Sequence, residues 1–430
     1  MLILAKRIIH TLFIQKLNFI ALEILNKKPG MEYRRFGKTE KYLSVITLGG
    51  MRFKNGWQEP RREIPTETFE QCREVVKLAF DAGINHIETA WGYKKSETVY
   101  GKVLNEELKI PRHSYHLMTK GHFFSAGEIR EKVEIQLKDL QTDYLDFYGW
   151  HGMNNDELLQ QACKTGGPVE ELLKMKEEGM IKHVGFSTHA PLHTIIGAIE
   201  TGLFDFVNLH YYYFNQRNEK AVAAAKARDM GVFIISPNDK GGQLFKAPQK
   251  VKDATTPLSP IQWNARFCLK NESIHTLTFG LTEASQFDEM KGIFPAKWTE
   301  REQNIKLKLD GFLKDDPYSG YDGFELENDP SGINIPEILR LRKLWKCYDM
   351  SSFGKYRYKT FEDRNHWLPG EQAFKGNIEK IDLAKVPVEV PLKRLLTEAH
   401  NEFYLPLYKR QVYRFISKVK TKGKMILGSK

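Results

Sequence analysis

EVVKLAFDAGINHIETAWGYKKSETVYGKVL, residues 74–104, holds one full repeat of the pattern that sets the fold. Its opening continues a helix whose apolar spacing runs from Glu67 to Ala82, and Gly83 stands where a helix-terminating glycine belongs. HIETA (86–90) reads as a short buried strand, and a second helix is predicted from Ser96 to Leu108. Upstream, MEYRRFGKTEKYLSVITLGG (31–50) reads as a hairpin turning at Gly37-Lys38-Thr39, followed by a first buried strand ending in Gly49-Gly50. Downstream, YHLMTK (115–120), LDFYGWH (145–151), HVGFST (183–188), FDFVNLHY (204–211), GVFIIS (231–236) and HTLTFG (275–280) read as strands. Helices are predicted between and after them over 126–140, 169–178, 191–200, 218–228, 258–269 and 283–291.

Eight strand–helix units over some 260 residues, with strands apolar on both faces, predict a parallel sheet covered by helices and closed into a (β/α)8 TIM barrel. The rival is an open doubly wound sheet, but no Gly-x-Gly-x-x-Gly opens a helix after the first strand. In a barrel, function lies at the C-terminal strand ends. Glu88, Tyr93, Lys120 and His151 fall at or just after three successive strand ends. Singly, a loop tyrosine is packing and a lone histidine is structural; four ionisable groups converging on one mouth make a candidate catalytic set.

The same residues carry a resemblance. GINHIETAWGYKKSE (83–97), MTK (118–120), DYLDFYGWH (143–151), IKHVGFS (181–187) and SPNDKGGQL (236–244) resemble the aldo/keto reductase superfamily in order and spacing over about residues 31–295. The resemblance implies an NAD(P)H-dependent oxidoreductase reducing an aldehyde or ketone to an alcohol, or the reverse. Tyr93 would be the proton donor, Lys120 the cation that tunes its phenol, Glu88 the ion-pair partner of Lys120, and His151 the group orienting the carbonyl. Most members have aspartate where Glu88 stands; the strings HIETA and GFSTHA resemble a branch in which glutamate is usual.

For the cofactor, the resemblance implies Ser187 at the nicotinamide amide, with Thr188 replacing a common Asn and Leu209 standing where many relatives place Gln. Ser236, Lys240 and Gly241 match the segment that straps the pyrophosphate, and Gly280, Thr282, Ser285 and Glu289 match the adenosine-phosphate segment. That last segment lacks a Lys or Arg for a 2′-phosphate, so NADP(H) is favoured over NAD(H) by family alone.

Residues 296–400 resemble the ferredoxin-like C-terminal domain of that branch, whose cysteines hold iron–sulfur clusters. The corresponding positions are Gly320, Gly323, Leu326 and Asp329, then Gly376, Glu379, Asp382 and Val386. None is cysteine, so the expectation is a degenerate, mostly helical appendage with no iron–sulfur cluster and no other metal site.

Composition is that of a globular protein with a core: 41% hydrophobic and 12% aromatic residues argue against disorder. The net charge of +11 sits in the ends, +4 in residues 1–30 and +7 in the basic tail 401–430, leaving 31–400 neutral, which argues against a broad nucleic-acid-binding face. Four cysteines, widely spaced, read as reduced core thiols in a cytoplasmic protein. The apolar stretch 1–30 is broken by Lys6, Arg7 and Lys16, too often for a membrane span, and the reading taken is that Met31 is the natural start. The expected partner is a small carbonyl or alcohol; the sequence leaves oligomeric state open. The rival reading is a cofactor-binding regulatory barrel with little turnover.

Overall fold

A computed structural model describes residues 28, 30–54, 60–240, 242–361 and 368–406. Most of the N-terminal extension, Gly241, part of the 52–64 loop and the basic tail from 407 lie outside the described residues. The chain divides into two compact units, residues 1–247 with 252–307, and residues 248–251 with 308–430.

The first unit opens with an antiparallel hairpin, β1 (Tyr33–Arg35) and β2 (Tyr42–Ser44). Eight parallel strands then close into a barrel: β3 (Ile46–Gly49), β4 (His86–Glu88), β5 (His116–Gly121), β6 (Leu145–His151), β7 (Ile181–Ser187), β8 (Phe206–Leu209), β9 (Gly231–Ile234) and β10 (Thr276–Phe279). β10 pairs with β3 to complete the ring. Alternation along each strand turns one residue in two inward. At the closed end, Phe36 of the hairpin packs its ring 5.3 Å from that of Phe147 and 5.8 Å from that of Phe206. Gly231 leaves room for it, since a Cβ there would lie 2.7 Å from the Phe36 ring. That plug leaves the strand C-termini as the open mouth.

The covering helices are α1 (Thr66–Asp81), α2 (Ser96–Lys102), α3 (Ala126–Leu140), α4 (Asp156–Cys163), α5 (Pro168–Glu177), α6 (Leu192–Glu200), α7 (Glu219–Ala227), α8 (Gln249–Thr255), α9 (Pro260–Leu269) and α10 (Ala284–Lys291). Side-chain caps mark several starts: Ser125 accepts from Glu128 N at 3.2 Å, and Ser259 with Gln262 forms a reciprocal capping box. The helix expected over 96–108 is regular only to Lys102 and continues as a wider π-type turn over Val103–Glu107. Of these ten helices, α4 and α8 were not foreseen in the sequence. Asn155 starts α4 by accepting from Leu158 N at 2.8 Å.

The second unit is mostly helical, built on helices Ile335–Tyr348, Ser351–Tyr358 and Leu392–Phe403. Their apolar faces bury Ile338, Leu341, Leu344, Leu395, Leu396 and Phe403. Gly354 lies so close to the Phe403 ring that a Cβ would be 2.3 Å away. Among the described residues no helix is long and apolar enough to cross a membrane.

Candidate active site

Inward alternation places Gly49, Glu88, Lys120, His151, Ser187 and Asn208 around the open end of the barrel, on six successive strands. Lys120 is fully buried and forms an ion pair with Glu88, while its Nζ donates to the Thr89 carbonyl at 2.8 Å. Its stem passes over Gly149, where a Cβ would lie 3.0 Å from Lys120 Cγ. Tyr93 enters from a 3-10 turn over Trp91–Tyr93 that follows β4. Its hydroxyl donates to Glu88 Oε1 at 3.4 Å, and Lys120 Nζ lies 5.1 Å from its ring centre. The His151 ring stands edge-on to that of Tyr93, 5.9 Å between centres. Of the four residues chosen for catalysis in the sequence, Tyr93 and Lys120 therefore meet at the Glu88 carboxylate, and His151 stands against the Tyr93 ring.

The electrostatics give each group a state. Burial pushes the Tyr93 phenol well above its ordinary value, and the charge that partly offsets this is Arg52. The sequence reading expected Lys120 to lower that pKa; burial dominates instead. Burial, together with Lys240, pulls the Lys120 ammonium down, against which its contact with Glu88 favours the charged form. Burial, then Lys120, His122 and Lys240, pull His151 well below its ordinary value. His151 is therefore a neutral imidazole at neutral pH. Its backbone carbonyl is hydrogen-bonded to His122 Nδ1 at 2.6 Å.

The residues expected to hold a cofactor are distributed unevenly. Ser187 is buried at the end of β7, in register with His151 on one side and Asn208 on the other. Asn208 is the residue missed in the sequence: alternation turns Leu209 outward and Asn208 inward. Its Nδ2 reaches Met118 Sδ at 3.5 Å while its Oδ1 is buried with no hydrogen bond among the described residues. Period-2 reading of FDFVNLHY would have found it. Thr188 uses its hydroxyl within its own loop, donating to Met153 O at 2.6 Å and accepting from Ala190 N at 2.9 Å.

Ser236, Asp239 and Gly242 all have left-handed backbone, φ 52°, 56° and 68°, so the segment after β9 is a tightly folded strap. Lys240 lies on it with N–H bonded to Asp239 Oδ1 at 2.9 Å; Gly241 lies outside the described residues. Asn238 Oδ1 on the same strap is buried and unbonded among the described residues. Past β10, Gly280 is exposed and Thr282 N donates to Gln286 Oε1 at 2.8 Å. Ser285 is exposed on α10, and Glu289 is bonded to the Ser259 hydroxyl. Against Gly280 rests Arg52, whose Cγ would be 2.7 Å from a Cβ on that glycine. The buried, unbonded acceptors of Asn208 at the mouth and of Asn238 on the strap, with the cation beside Gly280, fit a ligand carrying an amide at one end and phosphates along its length.

Residues 45–283, more than half of the chain, match the aldo/keto reductase family model. L-galactose dehydrogenase of Arabidopsis thaliana is 26% identical over 289 residues, covering 60% of this chain and 86% of that protein. Probable aldo-keto reductase 1 of Glycine max is 25% identical over 261 residues, covering 57% of this chain and 70% of that one. Among solved structures, the holo form of an aldo-keto reductase from Bacillus halodurans superposes with a TM-score of 0.53 at 20% identity, covering 65% of this chain and 96% of its own, which bears on the fold. The matched segment spans all eight barrel strands and the four converging residues, and the chain belongs to the aldo/keto reductase family, oxidoreductases that reduce carbonyls of small molecules with NAD(P)H.

Proposed function

We propose that this protein reduces an aldehyde or ketone with NADPH, and oxidises the corresponding alcohol in reverse, with Tyr93 moving the proton. The observation that carries the reading is that Tyr93 and Lys120 share the Glu88 carboxylate at the mouth while His151 packs edge-on against Tyr93. A bound nicotinamide supplies or accepts the hydride. Tyr93, partly buried and with its phenol held above the ordinary value by desolvation, stays protonated across the neutral range and so presents an O–H to the carbonyl oxygen. His151, neutral for the same reason, orients that oxygen by a ring N–H without competing for the proton. The Lys120 and Arg52 charges stabilise the phenolate left behind, and Glu88 holds Lys120 in place.

Ser187 and Asn208 would hold the nicotinamide amide, the 236–242 strap the pyrophosphate, and Gly280, Thr282 and Ser285 the adenosine end. Residues 279–290 contain no Lys or Arg to pair with a 2′-phosphate; Arg52, resting against Gly280, supplies a cation there instead, and this supports NADPH over NADH. The test combines fluorescence titration of both cofactors with a carbonyl panel, using wild type, Tyr93→Phe and Arg52→Met. Tyr93→Phe is expected to lose at least about 100-fold in kcat with cofactor Kd unchanged, and Arg52→Met to weaken NADPH more than NADH. Tyr93→Phe with wild-type turnover overturns the proton donor; tight cofactor binding with no turnover on any carbonyl or alcohol turns the reading to a regulatory barrel.

A further inference from the structure

Tyr93 sits on a short turn, and that turn is tied down by residues outside the catalytic and cofactor-binding sets named above. Arg61, from the segment between β3 and α1, lays its guanidinium over the Trp91 ring at 3.9 Å. It donates Nη1 to the Trp91 carbonyl at 3.2 Å and Nε to Asp139 Oδ2 at 2.7 Å, and it forms an ion pair with Glu97. The same nitrogen Nη1 lies 3.5 Å from the carbonyl of Lys94. Lys94, the residue after Tyr93, has φ 56° and ψ −114°, a backbone state costly for a side chain with a Cβ. Such a conformation persists only where its surroundings fix it, and Arg61 grips the carbonyls on both sides of Tyr93.

Glu97 carries the tie onward. Its side chain is fully buried; Oε1 accepts from the Thr119 hydroxyl and from Gln136 Nε2, the latter at 2.5 Å. Gln136 Nε2 also donates to the Lys120 carbonyl at 3.2 Å, and Gln136 Oε1 accepts from Tyr148 at 3.0 Å. One carboxylate thus joins the turn that bears Tyr93 to the stretch of β5 that bears Lys120.

We infer that Arg61 and Glu97 are positioning residues that set the distance between the Tyr93 hydroxyl and the Glu88–Lys120 pair. A planar fork is required: Arg61 uses nitrogens pointing in three directions, which a lysine cannot reproduce. The inference rests on the proposed reductase reading for its kinetic consequence, but the tie itself is a property of the fold.

The experiment compares wild type with Arg61→Lys, Arg61→Ala and Glu97→Gln by hydrogen–deuterium exchange and by carbonyl reduction. In Arg61→Lys, amides 90–97 are expected to exchange faster while the rest of the barrel stays protected. Displacement of the reacting group by about 1 Å is worth about 100-fold in rate, so kcat falls by about 10- to 100-fold. Carbonyl KM and NADPH Kd stay within about 3-fold, because the binding residues are untouched. The pH dependence of alcohol oxidation shifts, and guanidinium ion restores part of kcat in Arg61→Ala. Unchanged exchange at 90–97 in Arg61→Lys overturns the inference, as does a loss of kcat matched by loss of cofactor binding and of protection throughout the barrel. Wild type that binds cofactor yet turns over no carbonyl or alcohol overturns the reductase reading instead, and the exchange measurement then decides the tie by itself.

Discussion

Glu88 is one methylene longer than the aspartate common in its family, and its ion pair with Lys120 is accommodated by two glycines. A Cβ on Gly49 would lie 3.3 Å from Glu88 Oε2 and 2.8 Å from Thr278 Oγ1, and Gly149 gives the Lys120 stem its path. Gly49→Ala is therefore expected to push Glu88 off Lys120 and lower kcat by about 10-fold or more, with Tm little changed; the double variant Gly49→Ala/Glu88→Asp should recover part of that loss, and steady-state kinetics on the three proteins checks it. The Tyr93 phenol, raised by burial, gives a second outcome. On the proposed mechanism carbonyl reduction uses the protonated phenol and should be flat from neutral pH upward until the raised pKa is approached. Alcohol oxidation would use the phenolate and should rise with pH throughout that range. Removing the Arg52 charge, which draws this pKa down, should move the oxidation limb to higher pH in Arg52→Met. A pH–rate profile with saturating cofactor measures both.

Secondary-structure elements were legible to the extent that their signals were local. All eight barrel strands could be read because each is a buried run bounded by glycines, turns or a capped helix, and HIETA and LDFYGWH fell within two residues of β4 and β6. Element α4 hid because its cap, Asn155, follows a loop and its apolar face is short. The candidate site was half legible: Glu88, Tyr93, Lys120 and His151 announce themselves as ionisable groups at strand ends, whereas Arg61, Glu97 and Arg52 make contacts with residues far from them in sequence, Arg61 with Glu97, Glu97 with Thr119 and Arg52 with Gly280, that no spacing reveals. Asp205 is another such long-range group. Placed just before β8, it accepts from Val184 N at 3.1 Å and from Lys176 Nζ at 2.5 Å, with His183 beside it. Burial alone would raise its pKa; the bonds from His183 and Lys176 outweigh that and hold it at about 2. Its folded pKa is depressed, so its stabilisation is complete above the unfolded carboxylate range and lost as pH falls toward 2. With allowance for partial solvent contact, Asp205→Asn should cost about 1 kcal/mol near pH 7. Tm measured against pH should show the two proteins converging between pH 4 and 2.

At the scale of the whole molecule, the second unit raises the question of what holds its two C-terminal stretches. The eight positions that the sequence resemblance would give to cluster thiolates are Gly320, Gly323, Leu326, Asp329, Gly376, Glu379, Asp382 and Val386, a set that offers no sulfur to an iron–sulfur cluster. What joins the two stretches is a carboxylate. Asp329 accepts from the hydroxyl of Ser331 and from Ser331 N at 3.1 Å, and its other oxygen accepts from Asp382 N at 3.0 Å. Lys385 adds a bond to the Glu327 carbonyl at 3.4 Å, and Ile333 bridges to Glu371. A pair of bonds to a charged acceptor is worth about 1.5 to 3 kcal/mol each when made in shielded surroundings and less where water competes, as beside this half-buried group. Asp329→Ala leaves the Ser331 and Asp382 amides without their acceptor. The full chain carrying that change should show faster hydrogen exchange over 329–333 and 379–386, with barrel amides as protected as before, and Asp329→Asn, which keeps a carbonyl oxygen but turns an acceptor into a donor, should fall between. Exchange in Asp329→Ala identical to wild type would mean that the apolar faces of 335–348 and 392–403 hold the two stretches together without it.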